Sequence, residues 1–409
     1  MNITVIGCGR VGLPLALSLR EAGMNVNGVD VDTQLIDSVL KKVMPFKEPG
    51  YDELIKDTFS IYNSKYEDYP ESDVYIITVG TPLRDHIETN LTQVTSVMTE
   101  LISKVDIKNK LIILRSTVAP KTTEYIKNMI EVKTNYKTGV DFFLAMCPER
   151  IVEGKAYEEL LELPQIIGVD DDISYEKAEK VFSVFKVLTF KTTFIEAELS
   201  KLFTNIYRYI NFSIPNYFAY LADYFDVDIY HLLKVMKTNY SRNNGLLSPG
   251  FTGGSCLRKD FGMINECFPQ TDLILQAYKI NEFMPKFYVD LLKDNIKNNT
   301  VGVLGYTFKC DTDDTRDNLT PKLIRYLNRN SAKEVKINDP NLKVEMINDI
   351  FNHMQFNNYS IEEVIQCDIV ILAVNHKEYN NLTKEDFKGK IVIDGWGILN
   401  ENLYNDWRN

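Results

Sequence analysis

The sequence predicts an α/β protein: two Rossmann-like doubly wound domains joined by a central helical domain with a long helix. Three observations carry this expectation. The chain opens on an apolar strand that runs into a glycine-rich turn and a helix. Apolar strands then alternate with helical stretches, the pattern of a parallel sheet covered on both faces. A second strand-into-glycine-turn unit begins near residue 299, after a long stretch of helical periodicity. The predicted divisions are 1–195, 196–297 and 298–409.

A chain of 409 residues is long enough for two or three domains, and its 44% apolar content is ordinary for packed cores. The longest apolar runs, such as Val74-Tyr-Ile-Ile-Thr-Val79, fall well short of the ~20 residues a membrane helix needs. The first residues carry no basic segment and no cleavage pattern, so they read as neither signal peptide nor anchor, and no membrane partner is expected. Six scattered cysteines make neither a disulfide framework nor a zinc pattern, and fit a reducing cytosol. Four histidines without a cluster argue against a metal site. A net charge of −11 argues against nucleic acid as a partner, but leaves anionic small molecules open.

In the first block, Ile3, Val5 and Ile6 form a strand ahead of Gly7-Cys8-Gly9-Arg10-Val11-Gly12, and Leu13 to Ala22 has helical character. Gly7 would make the tight turn, Gly9 would admit a pyrophosphate, and Gly12 would let the helix pack on the strand. The anion would rest on the helix N-terminus beside Val11. A second strand, Val26 to Val29, ends at Asp30, the position of a carboxylate that holds a ribose 2′-hydroxyl and repels a 2′-phosphate. NAD is therefore the expected cofactor, with a purely structural glycine turn as the alternative. Later strands end in Gly80-Thr81-Pro82, in Ser116-Thr117, and in Cys147-Pro-Glu149-Arg150 followed by Glu153. Ligands in such sheets bind at the carboxyl ends of strands.

In the middle, Leu199, Leu202, Phe203, Ile206 and Ile210 recur at helical spacing from Glu196 to about Tyr230. Pro215 should kink or interrupt that helix. Lys201 and Asn205 share one face, which is either functional or a solvated edge, and Arg208 is near it. Beyond it, Gly253-Gly254-Ser255-Cys256-Leu257-Arg258-Lys259-Asp260 sets a thiol behind two glycines, as a close-approaching turn would. In the last block, Thr300 to Gly305, Val335 to Pro340, Asp368 to Val374 and Lys390 to Asp394 supply four more strands.

Five segments together resemble the UDP-glucose/GDP-mannose dehydrogenase family over essentially the whole chain. They are Gly253-Gly254-Ser255-Cys256 with Asp260; Glu198-Leu-Ser-Lys201-Leu-Phe-Thr-Asn205; Cys147-Pro-Glu149-Arg150-Ile-Val-Glu153-Gly154; Ser116-Thr117-Val118-Ala119-Pro120; and Phe308-Lys309-Cys310-Asp311-Thr312-Asp313-Asp314-Thr315-Arg316. The resemblance implies an N-terminal NAD-binding domain, a central helical domain with a catalytic cysteine, and a C-terminal UDP-sugar-binding domain. It implies oxidation of a sugar CH2OH to a carboxylate by two hydride transfers, with Cys256 trapping the aldehyde as a thiohemiacetal and then a thioester. Lys201 or Lys259 beside the thiol would favour the thiolate. On that reading Asp260 activates the water or hydroxyl, Lys201 and Asn205 stabilise the oxyanion, Glu153 is the general base and Thr117 orders the water. Gly7, Gly9, Val11, Gly12, Asp30, Gly80, Thr81, Pro82, Ser116, Thr117 and Arg316 would bind NAD. Glu149, Arg150, Glu153, Lys201, Asn205, Gly253, Gly254 and Lys309 would bind substrate, with Arg242 reaching the site of a neighbouring subunit. The other cysteines, Cys8, Cys147, Cys267, Cys310 and Cys367, read as packing or core thiols.

The sugar is read with alternatives open. Gly-Gly-Ser-Cys and Lys259-Asp260 are similar to the UDP-glucose branch. Cys147-Pro-Glu149-Arg150 and Asn375-His376-Lys377-Glu378-Tyr379 are similar to the N-acetylhexosamine branch, which is preferred, as N-acetylmannosamine or N-acetylglucosamine. Asp394-Gly-Trp396-Gly departs from the family's usual Asp-x-Arg-Asn. His376 has a packing role as its alternative. A single-step hydroxyacid dehydrogenase of the 6-phosphogluconate type is the remote rival. The long middle helix makes a homodimer the expected assembly.

Overall fold

A computed structural model describes residues 1–57, 59–65, 68–82, 89–268, 270–350 and 352–408. Their backbone gathers into two compact units. The first comprises Met1–Thr204 with Lys259–Gln270, and the second Asn205–Arg258 with Thr271–Asn409.

The first unit is built on an eight-stranded sheet. Its strands are β1 (Asn2–Ile6), β2 (Asn25–Asp30), β3 (Ser60–Asn63), β4 (Val74–Ile77), β5 (Leu111–Leu114), β6 (Phe143–Met146), β7 (Gln165–Gly168) and β8 (Thr189–Thr192). They lie in the order 3-2-1-4-5-6-7-8, and every pair is parallel except β6 with β7. The first six positions are the dinucleotide-binding order, whose switch point falls between β1 and β4. Successive strand residues alternate between two cores: Ile3, Val5, Ile76 and Ile113 on one face, Ile6, Ile77, Ile112 and Leu114 on the other. Burial on both faces is why these strands read as continuous apolar runs. Each such side chain contributes about 1.5–3 kcal/mol on burial.

The second unit holds a smaller sheet of β9 (Thr300–Leu304), β10 (Glu334–Asn338), β13 (Ile369–Leu372), β14 (Ile391–Asp394) and β15 (Tyr404–Asp406). Between them in sequence, β11 (Met346–Asp349) and β12 (Met354–Asn357) form a separate antiparallel pair. The five-stranded order is β10-β9-β13-β14-β15, a 2-1-3-4-5 arrangement with an antiparallel edge. Its switch point lies between β9 and β13.

The long helix spans Phe194–Tyr224 and passes through Pro215 without ending. Of the expected kink or interruption at Pro215, the interruption does not occur, and the helix stops earlier than Tyr230. Its buried face also differs from the apolar series read in sequence. Phe203 is 58% exposed, whereas Glu198, Lys201, Leu202, Asn205 and Tyr209 are buried. Among the described residues no helix is long and apolar enough to cross a membrane.

Candidate active site

At the switch point of the first sheet, three glycines perform three separate tasks. Gly7 has φ +95°, and a Cβ there would lie 2.9 Å from Val79. Its N–H donates to Val29 O, which closes the turn after β1. A Cβ on Gly12 would lie 2.0 Å from Gly7 O and 2.5 Å from Thr78 Oγ1, so the Gly12–Glu21 helix approaches the strand as only glycine permits. A Cβ on Gly9 would meet nothing within 4 Å, so that side of the turn is open. The helix makes its first bond from Leu13 N–H to Gly9 O at 3.0 Å. The N–H groups ahead of that bond, around Val11, are those a pyrophosphate would use. Asp30 completes the turn: Oδ2 accepts Cys8 N–H at 2.6 Å, and Oδ1 accepts Val31 and Asp32 N–H. The residues present fit an NAD cradle. Cys8 fills the slot beneath it, fully buried, with burial pushing its thiol far up.

The neighbouring strand ends are tied by hydroxyls. Ser116 Oγ donates to Val79 O at 2.7 Å, and Thr81 Oγ1 donates to Thr117 O at 2.5 Å. Lys259 Nζ reaches Thr81 Oγ1 at 3.2 Å and Asp260 Oδ1 at 3.0 Å, with Asp260 fully buried. Gly80 and Pro82 lie on the same strand-end turn.

The segment after β6 is held from inside. Arg115, buried within the sheet, pairs with Glu149 through Nε at 2.8 Å and through Nη2. It also donates to Cys147 O and Gln165 and stacks on Phe182. Glu149 Oε1 accepts the Arg150 and Ile151 N–H groups. Its carboxylate is thus engaged within the protein, and Arg150 itself donates to Pro164 O. Glu48, only 2% exposed, accepts Gly154 and Ala156 N–H at 2.9 Å each, which fixes the turn carrying Glu153. Glu153 pairs with Arg10 of the glycine turn at 2.5 Å. Glu48 and Arg115 were not singled out in sequence. Neither belongs to a motif, and their partners are far away along the chain.

On the Phe194–Tyr224 helix, Glu198 binds the start of the Thr122–Thr134 helix through Thr123 and Lys121. Lys201, one turn later, is 8% exposed and has no hydrogen-bond or ion-pair partner among the described residues. Asn205 is 3% exposed, one further turn along. The solvated-edge alternative for these residues therefore fails, while Arg208 is half-buried.

Cys256 is exposed and sits in the first turn of the Ser255–Cys267 helix, rather than on a loop. Asp260 follows one turn later on that helix. The segment before it is buried and fixed. Gly250 N–H donates to Asn216, which is bonded to Asn281; Phe251 stacks on Tyr288; and Gly254 N–H donates to Asp317 O at 2.9 Å. A Cβ on Gly253 would meet Asp317 O at 2.9 Å, and one on Gly254, which has φ +96°, would meet the Phe308 ring at 2.6 Å. Of the remaining cysteines, Cys147 and Cys367 are buried, and burial pushes Cys147 up to about 12. Cys267 is exposed and Cys310 half-buried, so neither is the core thiol expected.

In the second unit, Lys309 and Arg316 lie on the turn after β9. Thr307 and Thr312 hydroxyls donate to Lys309 O, and Arg316 is clasped by Asp314. His376 is wholly buried beneath this turn. Its Nδ1 accepts from Asp311 N–H and Asn341 Nδ2, so Nε2–H donates to Asp339 at 3.0 Å. The packing alternative for His376 is what the structure contains. Asp311, His376 and Glu378 form a grouping of metal-ligand type, but the Nδ1 lone pair is already engaged. Trp396 donates to Ala373 O, and its ring lies where a Gly250 Cβ would be, 2.6 Å away. Arg242 is exposed and folds over its own neighbour Tyr240.

Residues 1–186 match the NAD binding domain of the UDP-glucose/GDP-mannose dehydrogenase family, 195–282 its central domain and 302–401 its UDP binding domain. The UDP-N-acetyl-D-mannosamine dehydrogenase of Pyrococcus horikoshii is 32% identical over 98% of this chain and 96% of its own. The solved UDP-D-ManNAc dehydrogenase from Pyrococcus horikoshii superposes with TM-score 0.86 at 30% identity, covering 98% of this chain and 96% of that one. The UDP-N-acetyl-mannosamine dehydrogenase of Staphylococcus aureus gives 0.85 at 27% identity, covering 100% and 98%.

Proposed function

The chain belongs to the UDP-glucose/GDP-mannose dehydrogenase family and is an NAD-dependent UDP-sugar dehydrogenase; from that premise we propose that it oxidises UDP-N-acetyl-D-mannosamine at C6 to the uronic acid through Cys256. The observation that carries the mechanism is the exposed thiol in the first turn of a 13-residue helix, behind a buried turn held through the Gly250 and Gly254 N–H groups. A thiol there is accessible, at the N-terminal end of a helix that follows a buried turn. The choice of sugar rests on the relatives' names and on the residues around Glu149 and His376; UDP-N-acetylglucosamine and UDP-glucose are the alternatives.

NAD, held by the turn from Gly7 to Gly12 and by Asp30, supplies the hydride acceptor for each of the two oxidations. The Cys256 sulfur adds to the C6 aldehyde, forming a C–S bond and a thiohemiacetal, which the second oxidation leaves as a thioester. Water then adds to the thioester carbonyl, the C–S bond breaks, and the carboxylate and thiolate separate. Glu153 takes the proton of that water, and Thr117 orders it. Lys201, a buried cation without a partner among the described residues, and Asn205 stabilise the oxyanion. Asp260, bonded to Lys259, assists in removing the substrate hydroxyl proton. By the family resemblance, Thr81, Ser116 and Arg316 are assigned to NAD, and Lys309, Arg150, Gly253 and Gly254 to the substrate. Segments 1–195, 196–297 and 298–409 carry cofactor, thiol and UDP functions in turn.

The test is NADH formed per sugar consumed, with UDP-N-acetylmannosamine, UDP-N-acetylglucosamine and UDP-glucose in parallel. Two NADH per UDP-N-acetylmannosamine, with the others slower, is expected. One NADH per sugar, or a preference for another sugar, overturns the proposal.

A further inference from the structure

A cavity of about 460 Å³ opens within the second unit, between the Asp272–Leu292 and Thr320–Arg329 helices. That volume lies in the range of small-ligand sites. Four cations, Arg258, Lys322, Arg325 and Arg329, line it against a single carboxylate, Glu282. None of the residues assigned above to NAD or to the sugar is among them.

The carboxylate is already shared. Arg258 Nε lies 2.9 Å from Glu282 Oε1, and Lys322 Nζ lies 3.2 Å from Oε2 and 2.7 Å from the Glu282 carbonyl. Arg325 and Arg329 then have no ion pair with any described residue. They stand one turn apart on the same helix, a spacing at which like charges repel. A chain of net charge −11 has concentrated positive charge in one concave place, where Glu282 and Asp317 offset only part of it. Guanidinium groups present fixed forks of N–H donors that match phosphate oxygens. Tyr326, Asn318 and Asn352 add neutral polar groups to the wall.

We propose that this cavity binds a phosphate-bearing anion, either inorganic pyrophosphate or the polyphosphate end of a nucleotide, as a site additional to those for NAD and the UDP-sugar. Arg325 and Arg329 are its principal donors, with Lys322 supporting. Occupancy acts on the cysteine turn through Arg258. That residue is two positions after Cys256, and its guanidinium also meets Asp317, whose carbonyl holds Gly254 N–H. An anion that draws Arg258 toward the cavity pulls on that contact.

The experiment is calorimetric titration of the full chain with inorganic pyrophosphate at low salt, comparing the parent with Arg325→Gln/Arg329→Gln. Because the NAD and UDP sites also attract phosphates, the reading is the difference between the two proteins. The parent should bind one more pyrophosphate per chain, or bind at least tenfold tighter, while NAD and UDP affinities of the double variant stay within twofold. Equal stoichiometry and affinity in the two proteins overturn the proposal. Thermal unfolding checks the fold. The double variant should melt no lower than the parent, since it relieves a like-charge contact. If it does not fold, Arg329→Gln alone, at the exposed end of the helix, is titrated against the same criterion. A parallel titration with a nucleoside triphosphate separates the two sources: tighter binding than pyrophosphate assigns the site to a nucleotide, and equal or weaker binding assigns it to the free anion.

Discussion

Glu198 holds Thr123 with one carboxylate oxygen, which accepts both the Thr123 N–H and its hydroxyl at 2.7 Å, while the other oxygen accepts Lys121 N–H at 2.7 Å. The long helix that carries Lys201 is thereby fastened to the turn that carries Ser116 and Thr117. Burial raises the Glu198 carboxyl above its usual range, and these donors oppose the rise. Replacing Glu198 with Ala leaves buried donors unpaired, a loss on the order of 1–3 kcal/mol. Thermal unfolding should fall by several degrees, and activity should fall with it. An unchanged melting temperature would show that the contact is incidental.

The glycine turn predicts opposite behaviour for two similar substitutions. Gly9→Ala adds a methyl that touches no protein atom, so stability should hold while the NAD Kd rises about tenfold or more. Gly12→Ala drives a methyl against Gly7 O and Thr78, which should cost about 1–3 kcal/mol of stability. NAD titration and thermal unfolding of both variants check this. A stable Gly12→Ala protein, or a Gly9→Ala protein with parental NAD affinity, would contradict the assignment of tasks.

Asp339 supplies a pH signature. Burial works against its charge, but the His376 hydrogen bond and the Thr307 and Tyr306 N–H groups outweigh it and hold the carboxyl below its usual range. A carboxyl lowered by folding adds stability that is present at neutral pH and is lost as pH falls below ~3.9 through the folded-state value. The melting-temperature gap between the parent and Asp339→Asn should therefore be widest near neutrality and narrow below pH ~4. A gap independent of pH would mean that the carboxylate's charge contributes nothing.

The long helix leaves an apolar stripe in solvent. Phe203, Tyr207, Ile214, Tyr217 and Leu221 are 58%, 68%, 38%, 48% and 39% exposed, and Tyr224 is 80% exposed. With Ile210 they follow alternate spacings of four and three, the period of a helix–helix seam. We infer a homodimer through this stripe. Light scattering should give twice the chain mass, and Tyr217→Asp/Leu221→Asp should give the monomer. A parent that is monomeric at micromolar concentration would contradict it.

The elements legible in sequence were those whose signal is local. Gly7, Gly9, Gly12 and Asp30 declare themselves by spacing, and the buried strands by uninterrupted apolar runs. The supports Glu48 and Arg115 were not legible, because their partners are distant in the chain: Glu48 lies 106 residues from Gly154, and Arg115 34 from Glu149. Short strands of mixed polarity, such as β11, β12 and β15, gave no period to read. The buried face of the long helix was misread because Lys201 and Asn205 lie on it while Phe203 faces solvent. Periodicity of apolar residues marks the core face only where the core is apolar.

The covalent role of Cys256 is the central claim, and mass spectrometry of a stalled enzyme tests it most directly. Glu153→Gln protein, impaired in thioester cleavage, would be incubated with NAD and UDP-N-acetylmannosamine, quenched in acid and digested. The expected result is a sugar-derived adduct on the peptide containing Cys256, absent without NAD and absent in a Cys256→Ser background. An unmodified peptide from a variant that still releases two NADH per sugar, with Cys256→Ser doing the same, would contradict the covalent route.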